Sequence, residues 1–411
     1  MARQIDGTPA AGAAHWVNRG TIGPLVMSWV TAVNLRAPLV ATGAVLPLMR
    51  PALHLDATVA SLLTALPLLL MAVLSVPGGA WADRLGARRV LALSQLGTVV
   101  GGALRAAASG AVGLLASVAL LGAAIGVAQP ALARMAQAVA RARATHATTV
   151  YANGLVLGGL FGSALSVPLL LPLAGPLGWR GVFLGWAVLG VLAAVGWAFV
   201  RVPDHEMGAP RTPAAGPAAD APMPGMVPFM VTFSAQSALF YGLATWLPSY
   251  FVAAGWPLAT ATLVASVVSL GSIPGGLLAP WLTRRAGGFR RPIVGAGLAA
   301  AGAGFGLWLW PSGAYAWTLL AGATSALVLT VDMAAPAVLS PPARVGRDAG
   351  LLLTVGYGGA VVGPLAIGVL RDLTGGFAAG LAFLGVTSLL WAWVGRLVPL
   401  DAGRPSVSPS G

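Results

Sequence analysis

The chain has no cysteine and no lysine, and only 8% of its 411 residues are charged. Without thiols there are no disulfides, no thiolate metal sites and no thiol nucleophile. The four histidines (His15, His54, His146 and His205) fall at termini or loop edges without metal-ligand spacing, and are expected to be solvated. The glycine-rich stretch 295–306 follows no strand, so it is not a phosphate loop. No catalytic constellation is visible. The expectation is a protein that is not an enzyme and needs no cofactor or metal. No cleavable leader is expected either. The first 20 residues are polar and Ala/Gly-rich, and the apolar run that follows is too long for a leader's apolar core.

What the chain has in abundance is apolar sequence. Hydrophobic residues make up 57% and mean hydropathy is +0.86, whereas a soluble domain carries about a quarter charged residues. Apolar segments fall at 22–49, 58–80, 90–109, 111–139, 146–173, 179–200, 228–252, 258–282, 292–310, 314–339, 349–371 and 377–397. Each is long enough to cross a bilayer as a helix. The fold expected is all-α, with twelve transmembrane helices in two pseudo-symmetric six-helix bundles. The bundles cover 22–201 and 228–397. Residues 1–21 and 398–411 are read as tails. Residues 202–227, rich in proline and alanine, are read as a flexible linker.

The formal charge of +13 suggests nucleic acid, but its distribution argues against that. All 23 basic residues are arginine. Seventeen fall in the tails and even-numbered loops, and four (Arg50, Arg105, Arg180, Arg371) at the opposite face. This asymmetry follows the positive-inside rule and puts both termini in the cytoplasm. The 14 tryptophans fit anchoring at two membrane interfaces. The partners expected are the lipid bilayer and a small-molecule solute, with no nucleic acid.

The two halves repeat. Ser75-Val76-Pro77-Gly78-Gly79 recurs as Ser272-Ile273-Pro274-Gly275-Gly276. Leu46-Pro47 recurs as Leu247-Pro248. Thr149-Val150 with Gly154 and Gly158 recurs as Thr354-Val355 with Gly359 and Gly363. The offsets lie between 197 and 205 residues. The glycines at spacing four let helices approach closely. The loop from Gly79 to Arg89 reads G-A-W-A-D-R-L-G-A-R-R. It resembles the signature loop of the major facilitator superfamily, whose fold is a parallel repeat of six helices. Asp83, Arg84, Arg88 and Arg89 are then gating-loop candidates. Asp83 would accept hydrogen bonds from a helix N-terminus or an arginine across the seam between the halves. The counterpart at Thr283–Arg291 lacks the carboxylate.

A narrower resemblance lies in Asn34-Leu35-Arg36 with Gly43 and Leu46-Pro47, in Leu63-Thr64-Ala65-Leu66-Pro67, in Tyr241–Pro248, and in Val355-Gly356-Tyr357 with Gly363-Pro364. These are similar to the cyanate and 2-nitroimidazole permease branch, which carries small anions and small polar heterocycles. The resemblance implies a multi-pass protein of a bacterial inner membrane, acting as a monomer.

The residues themselves point the same way. Arg36 lies deep in the first apolar segment, where a charge costs about 2.5–3.5 kcal/mol by insertion scales, so it is expected to face an interior pathway. Arg134, Asn34 and Gln129 are further candidates in the first half. In the second half, Ser237, Tyr241 and Thr245 share one helix face, and Tyr357 joins them. Asp332 is read as an ion-pair partner of Arg36 or Arg134, or as a proton carrier. The function expected is secondary active transport of a small anionic or polar solute by alternating access, with or without proton coupling. A proton-driven drug or metabolite exporter is the main alternative, and a non-transporting membrane receptor a remote one.

Overall fold

The computed structural model describes residues 19–139, 144–200, 223–340 and 345–399. Most of the two tails and of the expected linker lie outside the described residues. Met223 and Met226, inside the expected linker, are buried, and the Met223 N–H donates to Asp348 Oδ2. The second half therefore begins earlier than its apolar run.

Twelve long helices are present among the described residues. In the first half they are α1 (Arg19–Ala52), α2 (Ala57–Leu85), α3 (Ala87–Ala107), α4 (Ala111–Val139), α5 (Ala144–Ala164) and α6 (Trp179–Phe199). In the second half they are α7 (Met226–Ala253), α8 (Leu258–Ala286), α9 (Arg290–Leu309), α10 (Ala314–Leu339), α11 (Val345–Thr374) and α12 (Ala378–Gly395). Eleven are long and apolar enough to span a membrane alone. The twelfth span is α5 continued through a bend of 50°. The bend has a sequence cause. Pro168 has no N–H for the regular ladder, and the chain passes through a π-helical turn at Ser166–Leu170. The prolines inside α1, at 24, 38, 47 and 51, do not break it. Membrane helices tolerate such residues because neighbouring groups satisfy the freed carbonyls.

The repeat seen in the sequence is also a repeat of packing. In the first half α1 packs on α5, α2 on α4 and α3 on α6. In the second half α7 packs on α11, α8 on α10 and α9 on α12. The recurring glycines sit at these crossings. A methyl group on Gly158 would lie 2.9 Å from Val33 Cα on α1, and one on Gly363 2.6 Å from Ala238 Cα on α7. Gly78 meets Val127 on α4, and Gly275 meets Ala323 on α10, in the same way. Side chains such as Val73, Leu192, Leu277 and Leu373 are exposed on the outside of the bundle, as lipid contact requires. Trp81, Trp310 and Trp393 are exposed, but Trp186, Trp197 and Trp391 are core residues. Interface anchoring thus accounts for only part of the tryptophan content.

The halves meet along α1 with α7, α2 with α11 and α5 with α8. Beyond Arg36, the hydrogen bonds across this seam lie toward the face where α1 ends and α2 begins. Ser61 Oγ donates to the Pro364 carbonyl at 2.9 Å, and Ser163 Oγ to the Thr262 carbonyl at 2.9 Å. Asp372 on α11 accepts from the Ala57 and Thr58 N–H groups and the Thr58 hydroxyl at 3.0, 2.7 and 2.6 Å. One half therefore supplies the N-cap of a helix in the other. These contacts lie on the face away from the Gly79–Arg89 loop, whose own side is called the loop face below.

Candidate functional site: a cavity at the seam of the halves

A cavity of about 400 Å³ lies between the halves. It runs from Arg36, midway along α1, toward the loop face, past Ala152 early in α5 and Gly276 late in α8. Five of the residues expected at a site line it: Arg36, Gln129, Ser237, Tyr241 and Tyr357.

Arg36 reaches the cavity because its neighbours are small. A methyl group on Gly158 would lie 2.9 Å from Arg36 Cβ, and one on Gly159 3.8 Å from its Cγ. The guanidinium crosses the seam to α7. Its Nη1 donates to the Tyr241 hydroxyl at 2.8 Å. Its Cζ lies 5.0 Å from the Tyr241 ring centroid and 5.7 Å from that of Phe240. Both separations are within cation–π range. Among the described residues no carboxylate pairs with Arg36, whereas Arg134 pairs with Asp83. The charge is thus held by a neutral oxygen and two aromatic rings, and the side chain lines the cavity.

Tyr241 accepts from Arg36 through its hydroxyl oxygen. Phe233 and Tyr357 form a tilted ring pair, with centroids 5.6 Å apart, on the α7 and α11 side. Four hydroxyls that the sequence reading did not single out complete the lining: Ser269 and Ser272 on α8, Ser325 and Thr330 on α10. Their one sequence signal is small polar residues at helical spacing in α8, and that pattern serves packing equally well.

Five expectations need correction. Asn34, two residues before Arg36, turns away from the cavity into the first half. Its Nδ2 donates to Gln95 Oε1 at 2.7 Å and to Thr98 Oγ1 at 3.1 Å. A spacing of two residues puts side chains on different faces of a helix. Arg134 does not line the cavity; it pairs with Asp83 at the end of α2. Asp83 therefore engages its own half rather than the other one. Thr245 lies beside the cavity, with its Oγ1 3.0 Å from Thr64 Oγ1 across the seam. Asp332 makes no ion pair with Arg36 or Arg134. It is fully buried, and its Oδ2 accepts from the Thr232 hydroxyl at 3.2 Å.

Two arginines in turn have roles the sequence did not disclose. Arg105, assigned to the opposite face by position, is 1% exposed inside the first half. It donates to Thr42 Oγ1 at 2.8 Å and lies over the Phe183 ring. Arg88 donates to the Val200 carbonyl at the end of α6 at 2.9 Å. That contact ties the signature loop to a helix C-terminus, where a cation is favourable. Arg84 and Arg89 are exposed.

Two like bundles of six helices with a charged cavity at their seam form the architecture of a solute carrier. The chain belongs to the Major Facilitator Superfamily, whose family profile matches residues 25–323. It is similar to the cyanate transport protein CynX of Escherichia coli K12, at 25% identity over 87% of this chain and 92% of that one. The 2-nitroimidazole transporter of the same organism is 26% identical over 91% and 93% of the two chains. A gentisate transporter of Corynebacterium glutamicum is 27% identical over 59% and 57%. Among solved structures, a bacterial homologue of the human lysosomal transporter Spinster superposes with a TM-score of 0.74 at 18% identity, covering 94% and 98%. A D-xylose–proton symporter gives 0.70 at 14% identity, covering 93% and 99%. These likenesses to solved structures establish the fold.

Proposed function

We propose that the protein is a secondary active transporter that moves a small anionic or polar solute through the central cavity by alternating access. The observation that carries this is Arg36, a guanidinium at mid-membrane depth that lines the cavity with no carboxylate partner among the described residues. An intramembrane charge without a counter-ion is costly. A solute carrying one negative charge would remove that cost while it is bound. Arginine's planar fork suits a carboxylate or a similar anion. The curated relatives are named for cyanate, 2-nitroimidazole and gentisate, which are small anions or polar rings.

The seam supports the alternating part of the reading. Hydrogen bonds join the halves beyond the cavity on the face away from the loop, and the cavity leads toward the loop face. With the loop face cytoplasmic, as the arginine distribution implies, this is an inward-open arrangement. Asp332 remains the candidate for proton coupling, because no cation compensates it among the described residues. The exporter reading is weaker, since among the described residues neither that carboxylate nor any other acidic side chain lines the cavity.

The test is ligand-dependent thermal stabilisation of the purified protein. A ligand that binds the folded state raises the melting temperature by mass action. Small anions are expected to stabilise the wild type and to have no effect on Arg36→Gln. Stabilisation by lipophilic cations alone would replace this reading with the exporter.

A further inference from the structure

The cavity is larger and more aromatic than a minimal anion needs. Its volume of about 400 Å³ lies toward the lower end of the range of pockets that hold organic ligands, roughly 300–1,000 Å³. A three-atom anion at Arg36 would leave most of it to water.

Three groups of residues line the cavity. At one end, Arg36 and Tyr241 present guanidinium N–H groups and one phenolic O–H, which together suit the two oxygens of a carboxylate. Beside them stand the rings of Phe240 and Tyr241, packed edge to face with centroids 5.3 Å apart, and the Phe233–Tyr357 pair. Ser325 on α10 lines the cavity as well. It is 2% exposed, and its Oγ has no hydrogen-bond partner. A buried hydroxyl without a partner is unfavourable, so this position favours a ligand that brings a polar group to it.

We infer that the cavity takes a planar aromatic monocarboxylate bearing a ring hydroxyl. The carboxylate would sit on Arg36 and Tyr241, the ring among Phe240, Phe233 and Tyr357, and the hydroxyl toward Ser325. The inference rests on the reading of Arg36 as the anion site and names the class of anion. Aromatic faces offer offset or edge contacts to a planar ring that a saturated ring of the same size cannot match.

Isothermal titration of the full-length protein with five probes tests it: 4-hydroxybenzoate, benzoate, cyclohexanecarboxylate, cyanate and phenol. The expected order places 4-hydroxybenzoate at least tenfold tighter than cyclohexanecarboxylate, cyanate or phenol, with binding lost in Arg36→Gln. Ser325→Ala should reduce the advantage of 4-hydroxybenzoate over benzoate. Phe240→Leu should narrow the gap between benzoate and cyclohexanecarboxylate. Unchanged melting temperatures certify that all three variants are folded. If cyanate or cyclohexanecarboxylate binds as tightly as the benzoates, and Arg36→Gln still abolishes binding, the aromatic inference is overturned and the anion site stands. If phenol matches 4-hydroxybenzoate, or the benzoates bind Arg36→Gln unchanged, the anion site falls as well. No binding by any of the anions overturns both.

Discussion

At the scale of single residues, the central feature is how Arg36 is held. A neutral phenol and two ring faces orient the guanidinium without cancelling its charge, whereas a carboxylate would have neutralised it. Arg36→Lys should therefore retain only part of the affinity. A lysine keeps the charge but loses the planar fork and the ring stacking. Titration with a bound anion is expected to show a loss of roughly tenfold or more, about 1.4 kcal/mol. Tyr241→Phe removes one donor and the contact that aims the guanidinium. Its expected cost is about tenfold or more in affinity, of the order of a hydrogen bond to a charged group, about 1.5–3 kcal/mol. Equal affinity in Tyr241→Phe would show that Arg36 needs no positioning.

Sequence reasoning at this scale had a clear limit. It placed Arg36, Gln129, Ser237, Tyr241 and Tyr357 in a set that the structure gathers around one cavity. It put Asn34 in the same set and missed Ser269, Ser272, Ser325 and Thr330. A polar residue in a membrane helix signals that it avoids lipid. It does not signal whether it faces the seam between the bundles or a neighbour within one bundle. Asn34 and Arg105 took the second course, with Gln95, Thr98 and Thr42 as partners.

At the scale of elements, the glycine-spaced pair α1–α5 positions the site. Gly158 lets α5 approach the α1 backbone at Val33 and leaves room for the Arg36 stem. Gly158→Val would force α5 away from α1 and displace Arg36 with it. The expected result is a lower melting temperature together with weaker anion binding. Gly295→Ala is the control, because a methyl group there meets nothing within 4 Å. These crossings were legible in the sequence, since small residues recurring at spacing four have few other uses in a membrane helix. The break in α5 was not. Its apolar pattern continues unchanged through Leu165–Leu171, and the π-helical turn follows from the prolines and local packing rather than from hydropathy.

At the scale of the whole molecule, the seam is held on one face by contacts made in trans. Asp372 caps α2 from the other half, and Ser61 and Ser163 reach carbonyls across the same boundary. A cap of this kind contributes about 1 kcal/mol. Asp372→Ala should therefore shift the conformational balance toward opening at that face by about fivefold. The absence of native cysteine makes the measurement simple, because an introduced cysteine at Thr64 is the sole thiol. Its labelling by a membrane-impermeant reagent is expected to speed up in Asp372→Ala. An unchanged rate would show that this cap does not hold the face closed. The division into two halves was readable from the repeat alone. Which face is closed depends on long-range pairing that no local pattern encodes.

The measurement that bears most directly on the account is anion uptake into proteoliposomes reconstituted with wild-type protein or Arg36→Gln, at matched protein content and melting temperature. The account predicts saturable uptake of an anion that stabilises the wild type, and uptake at the protein-free level for Arg36→Gln. Equal uptake by the two proteins would contradict it, because the guanidinium at the seam would then have no part in holding the solute.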